Sequence, residues 1–267
     1  MKKTTYFILG ILGIVLIIAA ASPFIFRALS DTIMPCSIDI SGKKKFSDFS
    51  DIKTIRFSYL NKDSRVRLAN CNATITRADS NVTLIEYPES EIFKIIKNND
   101  TLDISLDMGK YDSMNVDSKI AKYRFTSHEN INVNISLPKD VKYIENDCDF
   151  NITLNEIKTD SISIYSYRCS VLIDSCNIGS VNLSGDSPSI LTKNSEIKNL
   201  YIDLDYIRNW TVENCKIENE ILTGSGSHNN YLSKNECSNM IWIPKTKDAS
   251  LKVTMAQRGN ISLIKQE

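Results

Sequence analysis

Short apolar stretches recur about every 20 residues between Asn151 and Val253. One series runs Ile152/Leu154, Val171/Ile173, Ile190, Trp210/Val212, Tyr231 and Leu251/Val253. A second lies between them: Ile162/Ile164, Val181/Leu183, Leu200/Ile202, Ile221 and Ile241/Ile243. Each stretch alternates apolar with polar residues, as in Val181-Asn182-Leu183, which is the period of a half-buried strand. Asn, Asp, Ser and Gly fill the gaps and supply turns. The period is too short for paired helices, and fixed self-similarity at this length points to stacked coils. The pattern therefore predicts an all-β chain, a parallel β-solenoid of about 20-residue coils with two strands per coil.

Before the repeats the alternation persists with shorter, less even spacing. Ile55/Phe57/Tyr59, Val66/Leu68, Ala73/Ile75, Val82/Leu84, Phe93/Ile95 and Leu102/Ile104/Leu106 read as strands. Residues 107–127 break the pattern and read as an excursion with room for a short helix. Ile131 to Leu137 restarts the strands, and regular coils begin near Val141. The head is thus expected over 46–267, irregular over 46–140 and regular over 141–267.

Tyr6 to Phe26 is a different kind of segment, apolar except at Gly10, Gly13, Ser22 and Pro23. As a helix it would be about 31 Å long, close to the roughly 30 Å of a bilayer core. Lys2 and Lys3 precede it, and only Arg27 follows closely. The charge bias predicts a single-pass transmembrane anchor over 1–26, N-terminus cytoplasmic, with the head periplasmic or extracellular. A cleaved signal peptide ending near Ala19-Ala20-Ala21 is the alternative. Residues 27–45, with Pro35, Gly42 and the Lys43-Lys44-Lys45 run, read as a linker.

Composition narrows the chemistry. Lys plus Arg equals Asp plus Glu, 32 each, so no global field calls for nucleic acid. The compartment permits disulfides, but seven cysteines cannot all pair within the chain. Cys176, Ser195 and Cys215 share one coil position, which reads as a ladder of small buried side chains. Cys148 with Cys169, and Cys215 with Cys237, lie about one coil apart and keep a disulfide reading open. His128 and His228 fall in no metal-ligand spacing and read as surface residues. No cofactor, metal or catalytic set is expected. Asn-x-Ser/Thr triplets, including Asn72, Asn134, Asn151 and Asn182, read as polar-out strand positions. One surface stands out: Asp203 and Asp205 flank Leu204 and should project from a strand, with Tyr206 next and Tyr201 on the same side. Outward Tyr165, Tyr167, Tyr201 and Tyr206 could stack on sugar rings.

The blocks Ile55/Phe57, Val66-Arg67-Leu68, Asn99 to Ile104, Ile131 to Leu137 with Pro138 and Val141, and the repeated I-x-x-V-x-L coils carry a resemblance. Over roughly 46–264 the chain resembles the GIN-type head domains of candidate autotransporter adhesins and related β-solenoid adhesin families common in Bacteroidetes. It departs from them in having few glycines: Gly224-Ser225-Gly226 matches their turns, while Asn and Cys occupy other corners. The resemblance implies a β-solenoid fold and an adhesin-like role.

Taken with the anchor, these features predict a membrane-anchored binding or structural protein, not an enzyme. Its expected partners are the membrane and an envelope protein or glycan. A β-helical polysaccharide lyase or hydrolase, and a self-assembling envelope scaffold, are the alternatives.

Overall fold

A computed structural model describes residues 44–62, 66–68, 70–78, 82–113, 124–126, 131–137, 141–232, 237–255 and 262–265. The expected anchor over 6–26, most of the linker, Cys36 and His128 lie outside these residues. No described helix is long and apolar enough to cross a membrane.

The described chain is all-β apart from one helical turn, α1 (Gly109–Ser113). Its strands begin with β1 (Lys44–Phe49), β2 (Thr54–Tyr59), β3 (Val66–Leu68), β4 (Cys71–Arg77) and β5 (Thr83–Pro88). There follow β6 (Phe93–Asn98), β7 (Thr101–Leu106), β8 (Arg124–Thr126), β9 (Ile131–Leu137), β10 (Tyr143–Asn146) and β11 (Phe150–Asn155). The repeat region contains β12 (Lys158–Tyr167), β13 (Ser170–Asp174), β14 (Asn177–Asp186), β15 (Ser189–Lys193), β16 (Glu196–Asp203) and β17 (Asn209–Glu213). The last are β18 (Lys216–Gly224), β19 (Ser227–Leu232), β20 (Cys237–Pro244), β21 (Ser250–Met255) and β22 (Ser262–Lys265).

Two open sheets dominate. One has eight strands in the order β1-β5-β9-β4-β11-β13-β15-β17, the other ten in the order β22-β20-β18-β16-β14-β12-β10-β2-β7-β6. From β10 onward the chain alternates between them up to β18, and each strand pairs in parallel with its equivalent 19 or 20 residues later. Ile162 pairs with Val181, Val181 with Leu200, and Ile152 with Val171.

The sheets are mixed, however, and a wholly parallel stack is a correction to make. β1–β5, β5–β9 and β6–β7 are antiparallel. Nor is stacking sequential. β10 sits directly on β2, pairing Ile144 with Ile55, and β11 sits on β4, pairing Ile152 with Ala73. The strands β5, β6, β7 and β9 lie on the far side of that first layer. Of the antiparallel pairs, β6 and β7 form a hairpin with a tight connection at Asn99 and Asp100, whereas β1–β5 and β5–β9 pair across intervening strands.

A single apolar layer fills the space between the sheets. Ile55, Phe57, Ile75, Leu102, Ile104, Ile135, Ile144, Phe150 and Leu154 are fully enclosed, and the Phe57 and Phe150 rings meet at 5.0 Å. Corners are formed by residues with positive φ: Glu156, Ser175, Asn194 and Asn214 on successive coils, and Arg168 and Ser187 at another bend. This left-handed conformation costs a non-glycine residue about 1 kcal/mol, least for Asn. At the next position inward, Cys176 Sγ–H donates to the Asp174 carbonyl (3.2 Å), Ser195 Oγ–H to Lys193 (2.7 Å) and Cys215 Sγ–H to Glu213 (3.3 Å). The shared Cys/Ser/Cys position is thus a repeated corner brace. Outside, Asn239 donates to Asn219, Asn219 to Asn199 and Asn199 to Ser180, at 3.0, 2.9 and 3.3 Å.

Two register expectations are also corrected. From β18 onward, Ile221 and Ile241 do not continue the inward series. Ile221 pairs with outward Tyr201, while Glu220 and Leu222 take the inward places of Leu200 and Ile202. The apolar outer face of β18 and β20 conceals a one-residue phase error, which flips every side chain. Tyr231 is 66% exposed, and its neighbour Asn230 is the buried one, in a separate two-stranded sheet of β19 and β21.

Candidate functional site

The outward residues singled out in the sequence lie on the ten-stranded sheet. Buried Ile202 and Leu204 pin the backbone, so Asp203 ends β16 facing out and Asp205 stands in the following turn. The Asp205 amide donates to Asp203 Oδ1 at 3.3 Å and closes that turn. Tyr201 is 40% exposed and Tyr206 55% exposed.

Three later residues complete the cluster. Lys245 Nζ donates to Asp203 Oδ1 and Oδ2 at 2.6 and 2.7 Å and to Asp205 Oδ2 at 3.0 Å. It also lies 5.1 Å from the Tyr206 ring centre, in cation–π range. The Ser225 amide donates to Asp205 Oδ1 at 2.8 Å. His228 Nε2 is 3.2 Å from the same oxygen; it donates there when protonated, or accepts from the Gly226 amide at 3.4 Å as the other tautomer. The His228 ring meets Trp242 edge-on at 6.1 Å. A Cβ on Gly224 would lie 2.5 Å from His228 Nε2, so glycine is what lets the ring fold back over the turn.

The electrostatics follow. The Ser225 amide first, and then Lys245, hold the Asp205 carboxyl well below the usual carboxylate range. Burial opposes the Lys245 charge, but hydrogen bonds to Asp203 and Asp205 outweigh it and raise the ammonium. The Asp205 carboxyl is therefore ionised, and both Asp203 and Asp205 are already met by the internal cation Lys245. Among the described residues, no group of three His, Cys, Asp or Glu side chains could hold a metal ion.

The sequence brought Tyr201, Asp203, Asp205 and Tyr206 forward, but not Lys245, whose partners lie about 40 residues away. Its signal is the register: Gly224 pairs with Pro244, which puts Asp205, Ser225 and Lys245 in one column. Elsewhere on the same face, Arg56 bridges Glu145 (2.7 Å) and Asp103 (3.2 Å). Arg168 lies 3.5 Å from Asp186 and stacks 5.0 Å above the Tyr167 ring. Tyr143 and Tyr165 project from β10 and β12, half-buried, and burial first, then neighbouring carboxylates, raise both phenols.

Two other features lie away from this face. Cys71, Cys148 and Cys169 meet beside Asp149, whose carboxylate accepts from the Tyr59 hydroxyl and the Leu68 amide (3.1 Å). Burial keeps these thiols protonated, Cys169 pushed up to about 12, and no disulfide joins the described cysteines. A thiol so held is a poor nucleophile. Separately, an open groove of about 790 Å³ crosses the corner of β14, β16, β18 and β20. Glu196 and Lys216 on its wall pair with each other at 2.5 Å.

No protein-family model matches the chain, and no curated protein matches it. Solved structures do. A candidate adhesin from Bacteroides fragilis is 14% identical over 85% of this chain and all of its own, with a TM-score of 0.46. A candidate adhesin from Parabacteroides distasonis is 10% identical over 84% of this chain and 98% of its own (TM-score 0.44). A candidate lipid-binding protein from the same species is 13% identical over 85% and 99% (TM-score 0.40).

Proposed function

We propose that this chain is a binding protein, anchored in a membrane through residues 6–26, whose β-solenoid head works outside the cytoplasm in the manner of an adhesin. Its partner is an envelope glycan or protein. The observation that carries this reading is the outer face of the ten-stranded sheet, where exposed tyrosines stand among ion pairs that neutralise one another. Contact chemistry of this kind suits recognition. The carboxylates are engaged by Lys245, and the buried thiols are protonated. A flat face of parallel rungs at about 4.8 Å spacing also suits an extended ligand.

The test uses intact cells making the full chain. A protease that cannot cross the cytoplasmic membrane should digest the head and leave a short fragment with the membrane pellet. Complete protection of the head until that membrane is lysed would overturn the reading.

A further inference from the structure

We propose that the strip of sheet over β14, walled by Tyr165 on β12 and Tyr201 on β16, binds pyranose rings of an uncharged polysaccharide. The inference rests on reading this face as the ligand face, and it names the ligand class and the place.

The register sets the geometry. Tyr165 pairs with Ser184, Ser163 with Asn182, and Asn182 with Tyr201. The two aromatic side chains therefore rise from strands two rungs apart, about 10 Å across the sheet. Between them β14 offers only the short side chains of Asn182 and Ser184, so the floor lies lower than its walls. A second aromatic stands further along each side, Tyr167 on β12 and Tyr206 after β16. A chain of sugar rings lying along β14 would meet aromatic surface at both positions.

The floor is chemically suited to the same guest. Asn182 is exposed, and neither its amide nor the Ser184 hydroxyl bonds to another protein group among the described residues. Each group both donates and accepts, as sugar hydroxyls do. The ring faces accept the apolar C–H face of a pyranose, and the phenols supply further donors.

Charge decides between sugar classes. Three cations of this face are already committed: Arg56 to Glu145 and Asp103, Arg168 to Asp186, and Lys245 to Asp203 and Asp205. Carboxylates outnumber them, so a uronate or sulfated chain would meet unmatched negative charge. A neutral chain meets none.

The experiment is affinity electrophoresis of the full chain in detergent through gels containing laminarin, soluble mannan or polygalacturonate. Retardation by at least one neutral polysaccharide, and not by polygalacturonate, is expected. Tyr201→Ala and Tyr165→Ala should each weaken that binding about tenfold, the loss typical of an aromatic anchor. Tyr201→Phe, which keeps the stacking surface, should stay within about threefold, and Tyr231→Ala, on the separate small sheet, should bind like the parent. Matching melting temperatures exclude misfolding as the cause. Retardation undiminished in both alanine variants overturns the subsite while leaving an adhesin-like role standing. Retardation by polygalacturonate alone overturns the neutral-ligand assignment. No retardation by any of the three overturns the inference, and the protease test on intact cells then judges the wider reading independently.

Discussion

Small side chains at the corners hold the coils in shape. Cys176 is 2% exposed, and its thiol both braces the Asp174 carbonyl and stays protonated, pushed up to about 11 chiefly by burial. The equivalent residue one coil on is Ser195, with the same bond to Lys193. Cys176→Ser should therefore cost less than about 1 kcal/mol, whereas Cys176→Val, which cannot donate, should cost about 2 kcal/mol by crowding the bend and leaving the Asp174 carbonyl with the Glu156 amide (3.1 Å) as its remaining donor. Urea unfolding of the two variants checks the order. The corner position was legible from Cys176, Ser195 and Cys215 sharing a phase. The bond that gives the position its meaning was not, because it depends on a backbone that first bends through positive φ at Ser175, Asn194 and Asn214.

Strand pairing depends on close approach between rungs. Gly185 on β14 leaves no room for a side chain, since a Cβ there would lie 2.0 Å from the Ser166 carbonyl oxygen. Gly185→Ala should push β12 and β14 apart locally and lower stability by about 2 kcal/mol, measured by thermal or urea unfolding. The outward Asn182 and Ser184 floor sits on the same strand, so polysaccharide binding should fall with it. Alternation in the sequence revealed which residues of β12, β14 and β16 face inward, including Ile162, Val181 and Leu200. It failed at β18 and β20, where Ile221, Ile241 and Ile243 take outward register positions, Ile221 well covered there, and Glu220 lies inside. An apolar outer face removes the contrast on which phase is read. Glu220 is reconciled with the core in part by the Trp210 Nε1–H, which donates to it at 2.9 Å. Val82/Leu84 failed likewise: Thr83 and Ile85 are buried, and Leu84 is 45% exposed.

At the scale of the molecule, period and anchor-like segment together pointed to a β-rich head. The layer order was hidden. That β10 stacks on β2, with β5, β6, β7 and β9 placed beyond it, depends on pairing between segments some 90 residues apart, which local patterning does not encode. The candidate face was half legible for the same reason: Tyr201, Asp203, Asp205 and Tyr206 are close in sequence, while Lys245 and His228 arrive through the stack. The Ser225 amide and the Lys245 clamp also predict a pH dependence. Asp205 is held below its ordinary value, so its contribution is complete above about pH 4 and declines as pH falls from there. Asp205→Asn should be less stable than the parent by about 0.5–1 kcal/mol at pH 7, discounted for solvent screening, and the gap should narrow as pH falls from about 4 to 2. Melting temperatures of both proteins across that range measure it.

The central claim is that the outer face of the ten-stranded sheet is where a ligand rests. Hydroxyl-radical footprinting of the full chain, with and without the polysaccharide that retards it, reads that face directly. Protection is expected at Tyr165, Tyr201 and Tyr206, with Tyr231 and the Glu196/Lys216 groove unchanged. Protection confined to that corner groove, with the three tyrosines oxidised as fast as in the free protein, would contradict the account.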